Sequence, residues 1–206
     1  MAGLEQTSLS PRQQRLAEKA RVALAHGQFD YVREVTGEIL RAAPSCVSVR
    51  RLQRSAQLGL AGSRVGWVRQ ARAGLGLARL RLGGAAAAGA RLSAAERLLA
   101  VDPRNAGVLH VLADAARELG WPETAAWARE AAREVRPGDA ANLLALGEAW
   151  LAAGQPGAAL AVAEALLRLR PADGAALALL RHASLAQTVA EGNWESAGTF
   201  RDKLRS

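Results

Sequence analysis

The chain has 206 residues, of which half are hydrophobic and only 4% are aromatic, and its formal net charge is +8. This length supplies one or two ordinary domains or one short array of repeats. The single cysteine, Cys46, excludes an internal disulfide. The sequence shows neither a secretory leader nor an uninterrupted apolar run that could span a membrane, so we expect a soluble, cytoplasmic protein.

Alanine and leucine supply most of the apolar content, and both favour helix over strand, so we predict an all-α protein of about 10 to 11 helices. We predict that residues 1–10 form a flexible N-terminus. The first helix begins at Pro11, with Ser10 as its N-cap, and stops at Gly27. A second helix begins near Phe29 and ends before Pro44, and a third covers about 45–60. These helices form an N-terminal segment, 11–60.

The next segment, 61–103, is irregular and basic. We predict a helix at about 64–82 and another at about 90–101, separated by glycines and alanines. No acidic residue occurs between Ile39 and Ala95, whereas this stretch contains ten arginines. Residues 1–103 carry a net charge of +9 and residues 104–206 carry −1. This asymmetry suggests an acidic partner for the N-terminal half.

Residues 104–171 contain two regular units, because Pro103, Pro137 and Pro171 stand 34 residues apart. Leu109 and Leu143 follow their prolines at the same distance. Each unit predicts a helix pair: 105–119 with 122–135, and 139–153 with 156–169. A fixed period of this length indicates a repeat architecture in which each pair buries its apolar face on the next.

The last segment, 172–206, is a divergent copy. We predict a helix at about 173–190, then Gly192, then a short helix at about 194–204 that caps the stack.

The residue pattern of the two regular units resembles the tetratricopeptide repeat. The matching positions are Leu109, Leu112, Ala113, Gly120, Ala125, Ala132 and Pro137 in one unit, and Leu143, Leu146, Gly147, Trp150, Gly154, Ala159 and Pro171 in the next. The resemblance implies a right-handed α-solenoid of helix hairpins, with a concave groove lined by the first helix of each pair. It also implies a scaffold or peptide-binding role and no catalysis.

Transferred position by position, the resemblance places a set of candidate residues in that groove. They are Arg21, Arg51, Arg54, His110, Asp114, Arg117, Glu148 and His182. The partner implied is a protein or peptide, and the basic N-terminal end favours an acidic one. The Lys/Asn set with which some family members clamp a C-terminal carboxylate does not occur here, so that ligand is not predicted. The alternative is an ordinary solvated helix face.

The helix at 64–82 is a second candidate site. Trp67, Val68, Ala71, Leu75, Ala78 and Leu82 form one apolar stripe at 100° per residue. The basic-face candidates are Arg64, Arg69, Arg72, Arg79 and Arg81. Such a helix could attach the protein to an anionic surface, either a membrane or nucleic acid. The lack of aromatic platforms and of any nucleic-acid motif argues against nucleic acid. The alternative is a solenoid helix whose arginines are solvated or pair with acids elsewhere.

Catalysis finds no support in the sequence. His26, His110 and His182 are scattered, and no spacing suggests a metal site or an acid–base pair. We therefore predict a protein that is not an enzyme and uses no cofactor or metal. The sequence does not define an oligomeric state.

Overall fold

A computed structural model describes residues 9–62, 66–82 and 87–203. Within these ranges the chain is all-α and has ten helices, as predicted. They are α1 (Pro11–Ala25), α2 (Phe29–Ala42), α3 (Val47–Ala61), α4 (Trp67–Leu82), α5 (Ala88–Val101), α6 (Ala106–Glu118), α7 (Pro122–Val135), α8 (Ala140–Ala152), α9 (Pro156–Leu169) and α10 (Gly174–Lys203). The helices fall into two compact units: a first unit that ends at Val135 and a second that begins at Arg136.

The glycines of the repeat occupy the turns within the helix pairs. Gly27, Gly120 and Gly154 have φ values of +71°, +74° and +67°. In the first of these turns, the N–H of Gln28 donates to the carbonyl of Ala23 at 3.0 Å. This bond closes the helix end in the Schellman arrangement, which needs a left-handed residue before it. The glycines that recur in the sequence therefore mark left-handed turns in the structure.

The prolines of the repeat precede the helix starts. Two residues after Pro103 and Pro137, the side chains of Asn105 and Asp139 act as N-caps. Asn105 accepts a hydrogen bond from the Val108 N–H at 3.2 Å. At the first helix Ser10 is the N-cap, as predicted, and it forms a full capping box with Gln13. The 34-residue period therefore fixes where each pair begins and where it turns.

Two apolar clusters of described residues lie in the core of the first unit. One lies among α1, α2 and α3 and is centred on Val32, Ile39 and Val49. The other lies among α5, α6 and α7, where Leu109 and Leu112 pack on several buried alanines. These small side chains let the helices approach closely.

Polar contacts connect α3 to the helices that follow the irregular segment. The guanidinium of Arg50, which is only 1% exposed, donates to the Pro44 carbonyl at 2.9 Å and to the Glu96 carboxylate at 2.7 Å. The hydroxyl of Thr124 in α7 donates to the Ser45 carbonyl at 3.0 Å. α3 and the turn before it are therefore held against α5 and α7 by hydrogen bonds.

Arg54 contributes the longest-range part of this network. Its guanidinium donates to the carbonyls of Pro103 at 2.6 Å and Ala131 at 3.3 Å, and to the Glu134 carboxylate at 3.4 Å. Burial lowers the pKa of Arg54 from its ordinary value, and the charge of Glu134 opposes that shift. We call Arg50, Arg54, Thr124 and these partners the polar junction.

The second unit is a helix pair with a third helix packed on it. Leu143 and Leu146 of α8 and Leu166 of α9 form its core with Ala176 of α10. Gly147 is buried where α8 meets α10, and a Cβ atom there would lie 2.3 Å from a methyl group of Leu179. The small residue that the repeat places at 147 therefore makes room for a leucine of the next helix.

The last helix differs from its prediction. The sequence predicts an end near residue 190 and a separate helix after Gly192, but α10 continues without a break to Lys203. A lone glycine costs only about 1 kcal/mol in a helix, so it does not by itself end one. The side chains from 192 onward lie outside the described residues, and the capping role of this tail stays a prediction.

The turn glycines can be tested by comparing Gly120→Ala with Gly74→Ala. A Cβ atom added to either glycine would have no other atom within 4 Å, so packing does not distinguish them. Gly120 has a positive φ, and alanine there should lower the free energy of unfolding by about 1 to 2 kcal/mol. Gly74 lies inside α4, where alanine should raise that free energy by up to about 1 kcal/mol. Urea unfolding measures the change in unfolding free energy for each variant. If both changes have the same sign, this account of the turn is wrong.

The polar junction can be tested by comparing Arg54→Met with Arg51→Met. Methionine at 54 leaves two buried carbonyls without their donor and should cost about 2 to 4 kcal/mol of unfolding free energy. Arg51 is exposed on the same helix, and the same substitution there should change stability by less than about 0.5 kcal/mol. Thermal and urea unfolding report both values. If the two variants unfold alike, Arg54 does not hold the first unit together.

Candidate functional site

A depression between α1 and α3 contains the first of the predicted groove residues. Its volume is about 200 Å³, and the side chains that line it are Leu9, Gln14, Ala17, Glu18, Arg21, Ser48 and Leu52. α1 and α3 are the first helices of successive pairs in the predicted register. Arg21 forms an ion pair with Glu18 at the rim, and Arg51 is exposed beside Leu52 on α3. We call this depression the N-terminal groove.

Arg54 does not take part in any such surface. The sequence-based assignment to the groove transfers family positions into a segment where the repeat register is weak. In the structure the Arg54 side chain is only 8% exposed, and its guanidinium is engaged in the polar junction. This corrects the assignment, because a ligand cannot reach the charged group without breaking the junction.

Three further candidates share one face of α6. His110, Asp114 and Arg117 lie four and three residues apart, which places them on the same side of the helix. Arg117 is exposed, whereas His110 is half-buried. Asp114 accepts a hydrogen bond from Arg129 of α7 and is partly neutralised by it. This face therefore carries less free charge than its sequence suggests.

The remaining two candidates lie in the second unit. Glu148 is exposed on α8 and His182 is exposed on α10, two helices that contact each other. The predicted groove residues thus form three sets: the N-terminal groove, the α6 face and this pair.

The basic-face candidates belong to α4 and the residues just before it. Arg72 and Arg79 are exposed on α4. Arg64 lies outside the described residues, and so do the side chains of Arg69 and Arg81. Other arginines of the acid-free stretch are used inside the chain, since Arg50 and Arg54 belong to the polar junction and Arg91 pairs with Glu118. The excess positive charge of this stretch therefore reaches solvent at fewer points than its composition suggests.

The apolar stripe of α4 faces away from the protein. Trp67 is 79% exposed, Val68 50% and Leu75 57%. The opposite side of the helix is the packed one: Ala73 is fully buried and Leu77 packs on the core of α5–α7. Sequence reasoning identified the stripe but not its exposure. The recurrence of apolar residues at 73, 77 and 80 was the available signal for a second face.

A second apolar depression was missed altogether. It lies on α1 and α2, has a volume of about 540 Å³, and is lined by Arg15, Glu18, Lys19, Val22, Ala23, His26, Gln28 and Tyr31. Val22 and Tyr31 are about half exposed there. The sequence signal was Val22, an apolar residue on the side of α1 that also carries Arg15, Glu18 and Lys19.

Metal ligands and membrane-spanning helices do not occur in the described part of the chain. In the ranges that the structure covers, no three His, Cys, Asp or Glu side chains come together as metal ligands. None of the helices in those ranges is both long and apolar enough to cross a bilayer. Cys46 is buried, with its sulfur 3.3 Å from the Ser48 hydroxyl.

Similarity to known proteins is found in the fold and not in the sequence. Neither a family model nor a curated protein matches the sequence. Among solved structures, the first TPR of Spaghetti (RPAP3) bound to the HSP90 peptide SRMEEVD is 20% identical, with a TM-score of 0.50, and the match covers 62% of this chain and 99% of that one.

Two other matches cover more of the chain at lower structural similarity. A crystal structure of the MamA protein is 14% identical, with a TM-score of 0.47 and coverage of 92% of this chain and 88% of that one. A thermophilic TPR protein of Thermus thermophilus is 20% identical, with a TM-score of 0.38 and coverage of 85% and 81%. The Spaghetti match, together with the helix pairs and left-handed turns described above, shows that this chain has the tetratricopeptide-repeat fold.

Proposed function

We propose that this protein is a non-enzymatic scaffold that binds a protein or peptide through the N-terminal groove. The observation that carries the proposal is the composition of the groove. Leu52, which is partly exposed, supplies apolar surface above the buried Leu9, and Glu18 and Arg21 place one negative and one positive charge in the lining. A peptide that inserts apolar side chains between charged ones fits such a site, because apolar contacts give affinity and the charges fix orientation.

The charge of the surroundings favours an acidic partner. Arg51 is exposed on α3 next in sequence to Leu52, which lines the groove, and no acidic residue follows Glu38 until Glu96. An acidic peptide would therefore be attracted to this end of the first unit and oriented by it. The Spaghetti domain, which shares this fold, is bound to a peptide with three acidic residues. That observation belongs to Spaghetti and supports only the mode of binding proposed here.

The lack of a convergent reactive set supports a binding role over catalysis. Within the described residues His26 lies at the C-cap of α1 and His110 on α6, and Cys46 is buried. A catalytic site needs a nucleophile or base within hydrogen-bond reach of a partner that activates it. We therefore propose that the chain acts by bringing other proteins together.

Peptide selection on the purified protein tests the proposal. We expect a displayed random-peptide library to yield acidic peptides with interspersed apolar residues. The double variant Arg21→Glu, Arg51→Glu should weaken their binding by at least about tenfold, since reversing two exposed charges opposite an acidic peptide costs about 1 kcal/mol each. Fluorescence anisotropy with a selected peptide measures the change.

A matched variant controls for net charge. Arg136→Glu with Arg168→Glu changes the charge equally at two exposed positions of the second unit, and it should alter affinity less than about twofold. The N-terminal groove would not be the binding site if the Arg21→Glu, Arg51→Glu variant bound the peptide with unchanged affinity. The same conclusion would follow if the control variant lost as much affinity as the groove variant.

A further inference from the structure

We infer that the exposed side of α4 is a docking surface for an anionic membrane. This surface, the α4 face, consists of Trp67, Val68, Ala71, Leu75 and Ala78, with Arg72 and Arg79 along its edge. It is separate from the N-terminal groove and does not depend on the scaffold function proposed above.

The geometry of α4 divides the helix into two sides. At about 100° per residue, the five apolar positions fall within an arc of about 100°, and the two arginines come next to it. The packed side, with Ala73, Gly76 and Leu77, lies beyond the arginines. The helix is thus attached to the protein through Ala73, Gly76 and Leu77, and Trp67, Val68 and Leu75 are presented outward.

The exposure of the α4 face is continuous along the helix. Trp67, Val68 and Leu75 are all at least half exposed, and Ala71 and Ala78 on the same side of the helix are exposed as well. Single exposed apolar residues are normal on protein surfaces, but a contiguous exposed stripe marks a site that another apolar surface covers.

The positive charge of α4 indicates that the apolar surface covering it is anionic. α4 contains no acidic residue, and none occurs anywhere between Ile39 and Ala95. Arg72 and Arg79 can extend their charged ends toward lipid phosphates while the apolar arc enters the acyl region. Trp67 is suited to the headgroup level, where its ring is partly apolar and its N–H is solvated. Each arginine near an anionic leaflet adds to the attraction.

The same features favour a membrane over the other anionic partners. Nucleic acid would be held by phosphate contacts and by stacking on aromatic rings, but apart from Trp67 this face is aliphatic. A protein partner would need acids placed to match the two arginines and a surface shaped to one helix. A bilayer needs only an apolar arc with a basic edge, which the α4 face supplies.

Co-sedimentation of the full chain with vesicles tests the inference. The vesicles are phosphatidylcholine alone and phosphatidylcholine mixed with phosphatidylserine. We expect binding to the mixed vesicles that weakens as salt is raised, and little binding to phosphatidylcholine alone. The double variant Arg72→Glu, Arg79→Glu should weaken binding to the mixed vesicles by at least about tenfold.

Two alanine variants test the contribution of apolar side chains to vesicle binding separately from that of charge. Trp67→Ala should also weaken vesicle binding with an unchanged melting temperature, because this side chain is 79% exposed. Leu185→Ala, at an apolar position 67% exposed in the second unit, should leave vesicle binding unchanged. Arg136→Glu with Arg168→Glu supplies the matched charge control.

Three results would overturn the inference. They are no binding to the phosphatidylserine vesicles, equal loss in the matched charge control, or binding unaffected by Trp67→Ala. A different ligand for the α4 face would be indicated by two results together. The unaltered protein would bind an acidic peptide or a single-stranded oligonucleotide but neither kind of vesicle, and the α4 variants would no longer bind that ligand. Since none of these variants alters the N-terminal groove, peptide binding there can fail or succeed independently.

Discussion

The polar junction is the constraint on which the first unit depends. Pro44 and Pro103 are separated by 59 residues, nine fewer than two periods of 34, so the apolar repeat cannot run unbroken between them. α3 is nevertheless fixed to the later helices, because Arg50 and Arg54 donate to carbonyl and carboxylate oxygens across the gap. Burying two guanidinium groups is costly, and it is tolerated because most of their donors are paired. Hydrogen bonds are directional, so this junction also fixes the rotation of α3 about its axis.

The regular parts of the fold could be predicted from sequence because their signals are local. A proline, a capping Asn or Asp and a turn glycine recur at fixed spacing, and each acts within a few residues of itself. Arg54 could not be predicted in the same way. Arginine is usually exposed, and its acceptors here come from residues 103, 131 and 134, which no local pattern connects to position 54.

The orientation of α4 could not be predicted for a different reason. Its sequence offers two apolar sides, and size suggests that the one with Trp67 and Leu75 is buried. The structure buries the other side, where Gly76 lies so close to Leu98 of α5 that a Cβ would come within 2.4 Å of a methyl group. The close approach of the Leu98 side chain to the α4 backbone decides the packing here, and the glycine at 76 permits it. The exposed side of α4 therefore follows from packing in the segment where the repeat is least regular.

The long reach of the polar junction has a consequence for how the chain folds. Repeat proteins usually form contacts between neighbours in sequence, so folding can begin at any unit and spread along the array. Here Arg54 meets Ala131, and Thr124 meets Ser45, across separations of 77 and 79 residues. The chain must close a long loop before these bonds form, which slows folding and links early and late helices in one transition. The first unit is therefore expected to fold and unfold as a single cooperative block, although its sequence is built from repeats.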